Sequence, residues 1–194
     1  MEFQELMAPA AETAARIVQG VTADRLDGPT PCPDWDVRAL VNHMIYWAGP
    51  AAAAARKQPP PTGVQEGHDF TAGGDWAALY TERARAMAEA WAEPDAWEGN
   101  TSLTGDPQGM PASVIGGMML GECVLHGWDV AVATGQDTSA IAPELVAAAH
   151  RQLVPTAEMG RRYGAFGEQV EVPESAPLLD RLLGLSGRDP YWKP

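Results

Sequence analysis

Between residues 2 and 18, Phe3, Leu6, Met7, Ala10, Ala14 and Ile17 recur at spacings of three and four, the one-sided stripe of an amphipathic helix. The segment GVTADRLDGPTPCPDWDV is rich in Pro, Gly and Asp and reads as a structured loop, with Asp34 and Asp36 placed to cap the next helix. The helical period returns over 37–48, with Leu40, Val41, Met44 and Ile45 facing inward, and the alanine run beyond Pro50 lets it continue after a kink. A long connection, QPPPTGVQEGHDFTAGG, leads to Asp75, which can cap a third helix over 76–93 with a weaker stripe of Leu79, Ala86, Met87, Ala90 and Trp91.

Turn chemistry at TGDPQG predicts a small hairpin between Trp97 and Met110. A fourth helix should start at Pro111 and stop at Gly135, and it is apolar nearly all round, hence buried. A fifth helix over 143–153 and a short sixth within APLLDRLLGLSGRDPYW complete the chain. Helix after helix without a repeat predicts an all-α protein, one domain over residues 1–194. Four long helices form a bundle, with short C-terminal helices and a small β-hairpin added to it.

Composition narrows the functions this fold can serve. The chain has 194 residues, 45% hydrophobic and 20% charged, as expected of a globular protein. Its net charge of −13 opposes the electrostatic attraction on which nucleic-acid and anionic-membrane binding depend, so neither is an expected partner. No apolar run approaches the roughly 20 residues of a membrane span, and the N-terminal stretch lacks the basic-then-apolar order of a secretory signal; a cytoplasmic location is expected. Two cysteines, Cys32 and Cys123, provide neither a disulfide framework nor a zinc ribbon.

The chemistry to be explained lies in the fourth helix. In GECVLHGWDVAVATG, Glu122 and His126 are one turn apart and about 40° apart around the axis, so both can reach one point. Such a pair suits two metal ligands, and His43, in the apolar context LVNHMIYW of the second helix, could be the third. Two imidazoles and a carboxylate leave coordination positions open, as catalytic zinc and non-haem iron sites do. The same residues also have plainer readings: a hydrogen-bonded Glu–His pair on a helix face, and a core histidine with one satisfied nitrogen.

Asp129 lies about 20° from Glu122 on the other side and could orient an imidazole, or could be a helix-surface acid. Cys123, at the flank of this face, suits a packed thiol; Cys32 is either an activated loop thiolate or a buried one. Tyr46 and Trp47 flank His43 as pocket-lining or packing aromatics, while His68 and His150 have no companion at ligand spacing. There is no phosphate-cradling loop, dinucleotide fingerprint or nucleophile elbow.

Three segments, TPCPDWDVRALVNHM, GECVLHGWDVAVATGQ and LLDRLLGLSGRDPYW, resemble in order and spacing the actinobacterial metal-binding branch of the DinB-like superfamily. This is the group related to the N-terminal domain of mycothiol-dependent maleylpyruvate isomerase, and the likeness spans essentially the whole chain. It implies a four-helix bundle holding a divalent metal, zinc first and nickel or iron as alternatives, with His43, Glu122 and His126 as ligands. The resemblance further implies a metal-dependent thiol transferase or isomerase, with mycothiol as cosubstrate and an electrophilic small molecule as acceptor. Two other readings remain: a non-catalytic or stress-related metal-binding bundle, and a biosynthetic enzyme using the metal for another small-molecule reaction. A homodimer is compatible with each. Two departures separate the chain from the isomerase: the segment VEVPESAPLLDRLLGLSGRDPYWKP stands where the isomerase has a further domain, and Cys123 stands where many relatives carry His.

Overall fold

The computed structural model describes residues 2–194. Helix α1 (Phe3–Gln19) begins where the Glu5 carboxylate accepts from the Glu2 backbone N–H at 3.1 Å. The loop after it is tied down by its own polar groups: Thr30 donates to the carbonyl of Trp35 at 2.7 Å, and the N–H of Val37 reaches the carbonyl of Gly28 at 3.0 Å. Asp36 then caps α2 (Val37–Ala55) by accepting from the Ala39 N–H at 2.7 Å. The continuation past residue 48 is realised as one uninterrupted helix. Pro50 deletes one backbone donor, the neighbouring Ile45 carbonyl accepts from Arg83 at 3.0 Å, and the buried alanines after it favour helix.

Helix α3 (Trp76–Trp91) stops short of Glu93, because Pro94 disfavours helical geometry in the residue before it, and the side chain of Asp75 makes no capping bond. The hairpin forms from β1 (Asn100–Thr101) and β2 (Met110–Pro111), antiparallel, with Asn100 opposite Pro111. Pro111 therefore closes the strand and caps α4 (Ala112–Thr134) instead of opening it, while Gly135, at φ 72°, ends that helix as expected. Helices α5 (Pro143–Leu153) and α7 (Leu178–Leu185) match the fifth and sixth segments of the sequence pattern. Between them lies α6 (Ala157–Arg162), unanticipated because six residues are too few for a period to register.

α1 packs on α3 and α4, and α2 packs on the same two helices, closing a four-helix bundle; α5 covers the outside of α4, and α7 covers α5. Met7, Leu40, Ile45, Trp91, Leu120 and Val130 are fully buried in this core. Because α4 is covered by α1, α2 and α5, its two buried polar residues, His126 and Asp129, must be satisfied by neighbours rather than by water. The tail contributes to that. Gly187 has φ 81°, and a Cβ there would lie 2.8 Å from the backbone of Gly167, so only glycine fits; the turn it makes sends Arg188 into the interior. Among the described residues no helix is long and apolar enough to cross a membrane.

Candidate metal centre

α2 and α4 bring His43, Glu122 and His126 together, with their donor atoms all within 4.8 Å of one another. Nε2 of His43 and Nε2 of His126 each lie 3.2 Å from the same oxygen, Oε2 of Glu122. Four ligands at about 2.0 Å around a tetrahedral metal are separated by about 3.3 Å, so the spacing is that of a coordination edge. Trp35, carried by the tied-down loop, lies over both rings, with centroids 4.5 Å from His43 and 5.9 Å from His126.

The tautomers decide what these contacts mean. Nδ1 of His126 is 2.9 Å from Oδ2 of Asp129, a buried carboxylate that can only accept, so the proton of a neutral His126 sits on Nδ1. Its Nε2 then presents a bare lone pair to the Glu122 oxygen. Two facing acceptors repel unless a cation stands between them, either a metal ion or an added proton. The charge balance of the site agrees. Burial would raise Glu122, but the charge of His126 and hydrogen bonds with His126 and His43 outweigh it and hold this acid well below the ordinary carboxylate range. Burial would lower His126, yet Glu122 and Asp129 together hold it well above its ordinary value. The donor set thus fits a small divalent cation.

Behind His126 stands a second layer that the sequence alone does not assemble. Arg188 donates from Nε and Nη2 to the two oxygens of Asp129, both at 2.7 Å, and from Nη1 to Ser186 at 3.2 Å. Burial opposes ionisation of Asp129, but Arg188 and the His126 contact lower it to about 2. Arg188 belongs to the GRDPYW segment, and the charged residues Asp180 and Arg181 in the helix just before it leave no sequence signal that singles it out. Trp35, in the Pro- and Asp-rich loop, carries none either. Cys32, half-buried, places its sulfur 3.4 Å from Asp129 and 3.8 Å from Arg188. Cys32, His126 and Asp129 also lie within metal-binding distance of one another, but both oxygens of Asp129 are already engaged by Arg188.

The remaining candidates from the sequence divide between the site and its surroundings. Asp129 orients an imidazole, and is not a surface acid. Trp47 donates to Glu66 at 2.9 Å and lines, with Met44, Tyr80, Met119 and Cys123, a small pocket beside Glu122 and His126. Cys123 is a packed, neutral thiol, pushed up to about 12 by burial and by the charge of Glu122. Tyr46 packs edge-on against Trp47 at 5.2 Å and does not line this pocket. His68 lies exposed beside Phe70, and His150 lies on α5; both are outside the cluster.

Comparison with known proteins places this chain in a family. The family model described as Mycothiol maleylpyruvate isomerase N-terminal domain matches residues 7–131. Uncharacterized protein MT0763 and Uncharacterized protein Rv0738, both of Mycobacterium tuberculosis, are each 30% identical over 189 residues, covering 92% of this chain and 93% of theirs. Among solved structures, the mycothiol-dependent maleylpyruvate isomerase is similar in fold, with a TM-score of 0.57 at 19% identity over 91% of this chain and 79% of that one. A histidine-to-alanine mutant of that isomerase gives 0.63 at 17% identity over 96% of this chain and 91% of the other.

Proposed function

The chain belongs to the family of the mycothiol maleylpyruvate isomerase N-terminal domain, and from that premise we propose that it is a divalent-metal protein that activates a small thiol, mycothiol foremost, for transfer or isomerisation. The observation that carries this reading is the convergence of two imidazole Nε2 atoms on one oxygen of Glu122, while Asp129 fixes the proton of His126 on its other nitrogen. His43, Glu122 and His126 would hold the metal, with zinc the first choice for a set of two nitrogens and one oxygen. Bound there, the metal would supply an open position that stabilises a thiolate near neutral pH.

The protein's own residues do the rest. Asp129 keeps His126 in the tautomer that leaves Nε2 free, and Arg188 keeps Asp129 ionised. Trp35 shields both imidazoles from water, which strengthens every charge interaction beneath it. Trp47 and Glu66, joined by their hydrogen bond, form the rim beside His43.

Alkylation of mycothiol by a bimane, monitored against pH, tests the proposal. With zinc-loaded protein the reaction should stay fast at lower pH than for free mycothiol, and Glu122→Gln should abolish the difference. An unchanged pH dependence would contradict thiol activation and leave a metal-binding bundle without turnover as the better reading.

A further inference from the structure

His43 has an idle nitrogen. Its Nε2 meets Oε2 of Glu122 at 3.2 Å, whereas Nδ1 is buried and has no hydrogen-bond partner. The proton of a neutral ring therefore sits on Nε2, where an acceptor waits, and Nδ1 is left as a bare lone pair. Trp35 and Trp47, whose rings wall the imidazole at 4.5 Å and 6.3 Å between centroids, offer indole N–H groups that can only donate. The acceptor that faces Nδ1 is Oε1 of Glu66, 3.7 Å away. Acceptor faces acceptor, and the gap exceeds a hydrogen bond by about 0.8 Å.

A metal on Nε2 reverses the polarity of that edge. With the Nε2 lone pair committed, a neutral imidazole carries its proton on Nδ1, and metal-bound histidines almost always give that proton to an acceptor. His126 has Asp129 in this role. For His43, among the described residues, the carboxylates within 4.0 Å of the ring are Glu66 and Glu122, and Glu122 is already assigned to the metal.

Glu66 is also free to approach. Residues 61–69 are all exposed, and among the described residues the bond from Trp47 to Glu66 is the one hydrogen bond that joins residues 59–68 to the rest of the molecule. Gly63 and Gly67, at φ 101° and 93°, flank Glu66, and neither has a heavy atom within 4 Å of where a Cβ would stand. Just beyond, the loop is anchored to α2: Asn42 donates to Asp69 at 3.1 Å and accepts from the Phe70 N–H at 2.9 Å. A shift of about 1 Å would close the gap while Oε1, with its two lone pairs, keeps the Trp47 bond.

We propose that Glu66 is the positioning residue of His43: in the metal-loaded protein its carboxylate accepts from Nδ1 as well as from Trp47, and residues 61–68 are drawn onto the rim of the site. This rests on the proposed metal centre. The loop beside His43 thereby orders with metal occupancy, through the tautomer of one ring.

Long-range proton–nitrogen NMR spectra of the imidazoles, with and without zinc, test the assignment, while chelator competition follows uptake separately. In the zinc-free parent, Nδ1 of His43 should have the shift of an unprotonated nitrogen. With zinc it should be protonated, its proton should be protected from exchange with water, and the heteronuclear NOEs of residues 61–68 should rise. Glu66→Ala should weaken zinc binding about threefold to tenfold, lose the protected proton, and leave the loop unresponsive to zinc. Glu66→Gln, whose amide oxygen still accepts, should restore the proton and part of the loop response. The replaced side chain is exposed, so both variants should fold as the parent does. Zinc uptake with Nδ1 still unprotonated in the parent, or with its proton equally protected in Glu66→Ala, would overturn the assignment and leave the metal centre standing. Absence of zinc uptake by the parent would sink both.

Discussion

His126 and His43 meet the same oxygen of Glu122 at the same 3.2 Å, yet their surroundings are opposites. Behind His126 is a closed chain of Asp129, Arg188 and Ser186, each buried and each bonded to the next. Behind His43, Nδ1 is buried without a hydrogen-bond partner, and its nearest carboxylate is Glu66, 3.7 Å away on an exposed loop. One imidazole is therefore locked by the protein alone, and the other is held by a tilted contact with Trp35 and by its helix. A site built this way has a fixed half that sets position and an adjustable half that can yield to an incoming ligand. The difference costs little, since desolvating one carboxylate–arginine pair is easier to compensate than desolvating two.

The sharpest way to break the contrast is to open the locked side. Arg188→Met takes from the buried Asp129 the cation that keeps it ionised and leaves it only its contact with His126, which should lower unfolding free energy by about 3–5 kcal/mol in urea titrations. In a variant that still folds, metal affinity measured by chelator competition should fall about 10–100-fold. A loss below about 1 kcal/mol would mean that the tail does not dock in solution.

Acid offers a milder probe of the same half. Asp129 titrates at about 2 in the folded protein against an ordinary value of 3.8, so its folded value is depressed. The stabilisation it gives is present above about pH 4 and disappears as the pH falls through about 2, an effect on the order of 2 kcal/mol. Acid titration should therefore show a stability decline between these limits that Asp129→Asn removes.

The smallest effect belongs to the open side. Glu66→Gln should leave stability within about 0.5 kcal/mol of the parent and weaken metal binding less than tenfold. An effect as large as that of Arg188→Met would erase the distinction between the halves.

The same division separates the legible parts of the molecule from the illegible ones. The helices of the bundle and the cluster of Glu122 and His126 are legible in the sequence because a 3.6-residue period and an i, i+4 spacing are local, and His43 stands out as the one imidazole of its helix. Asp129 can be placed on the right face by angle alone. Arg188 cannot, since it reaches Asp129 across 59 residues of chain by way of the Gly187 turn, which no periodicity encodes. Trp35 and Cys32 escape for the same reason: a loop fixed by Thr30 carries them, and only the folded loop brings them to the rings and to Asp129. α6 escapes because six residues are too few to leave a pattern.

Elemental analysis of untagged protein, alongside His126→Ala and Glu122→Gln, tests the metal centre most directly. The parent should carry close to one divalent metal per chain and each variant a small fraction of that. Negligible metal in all three, after exposure to excess zinc, would contradict the account and leave a proton as the cation between His126 and Glu122.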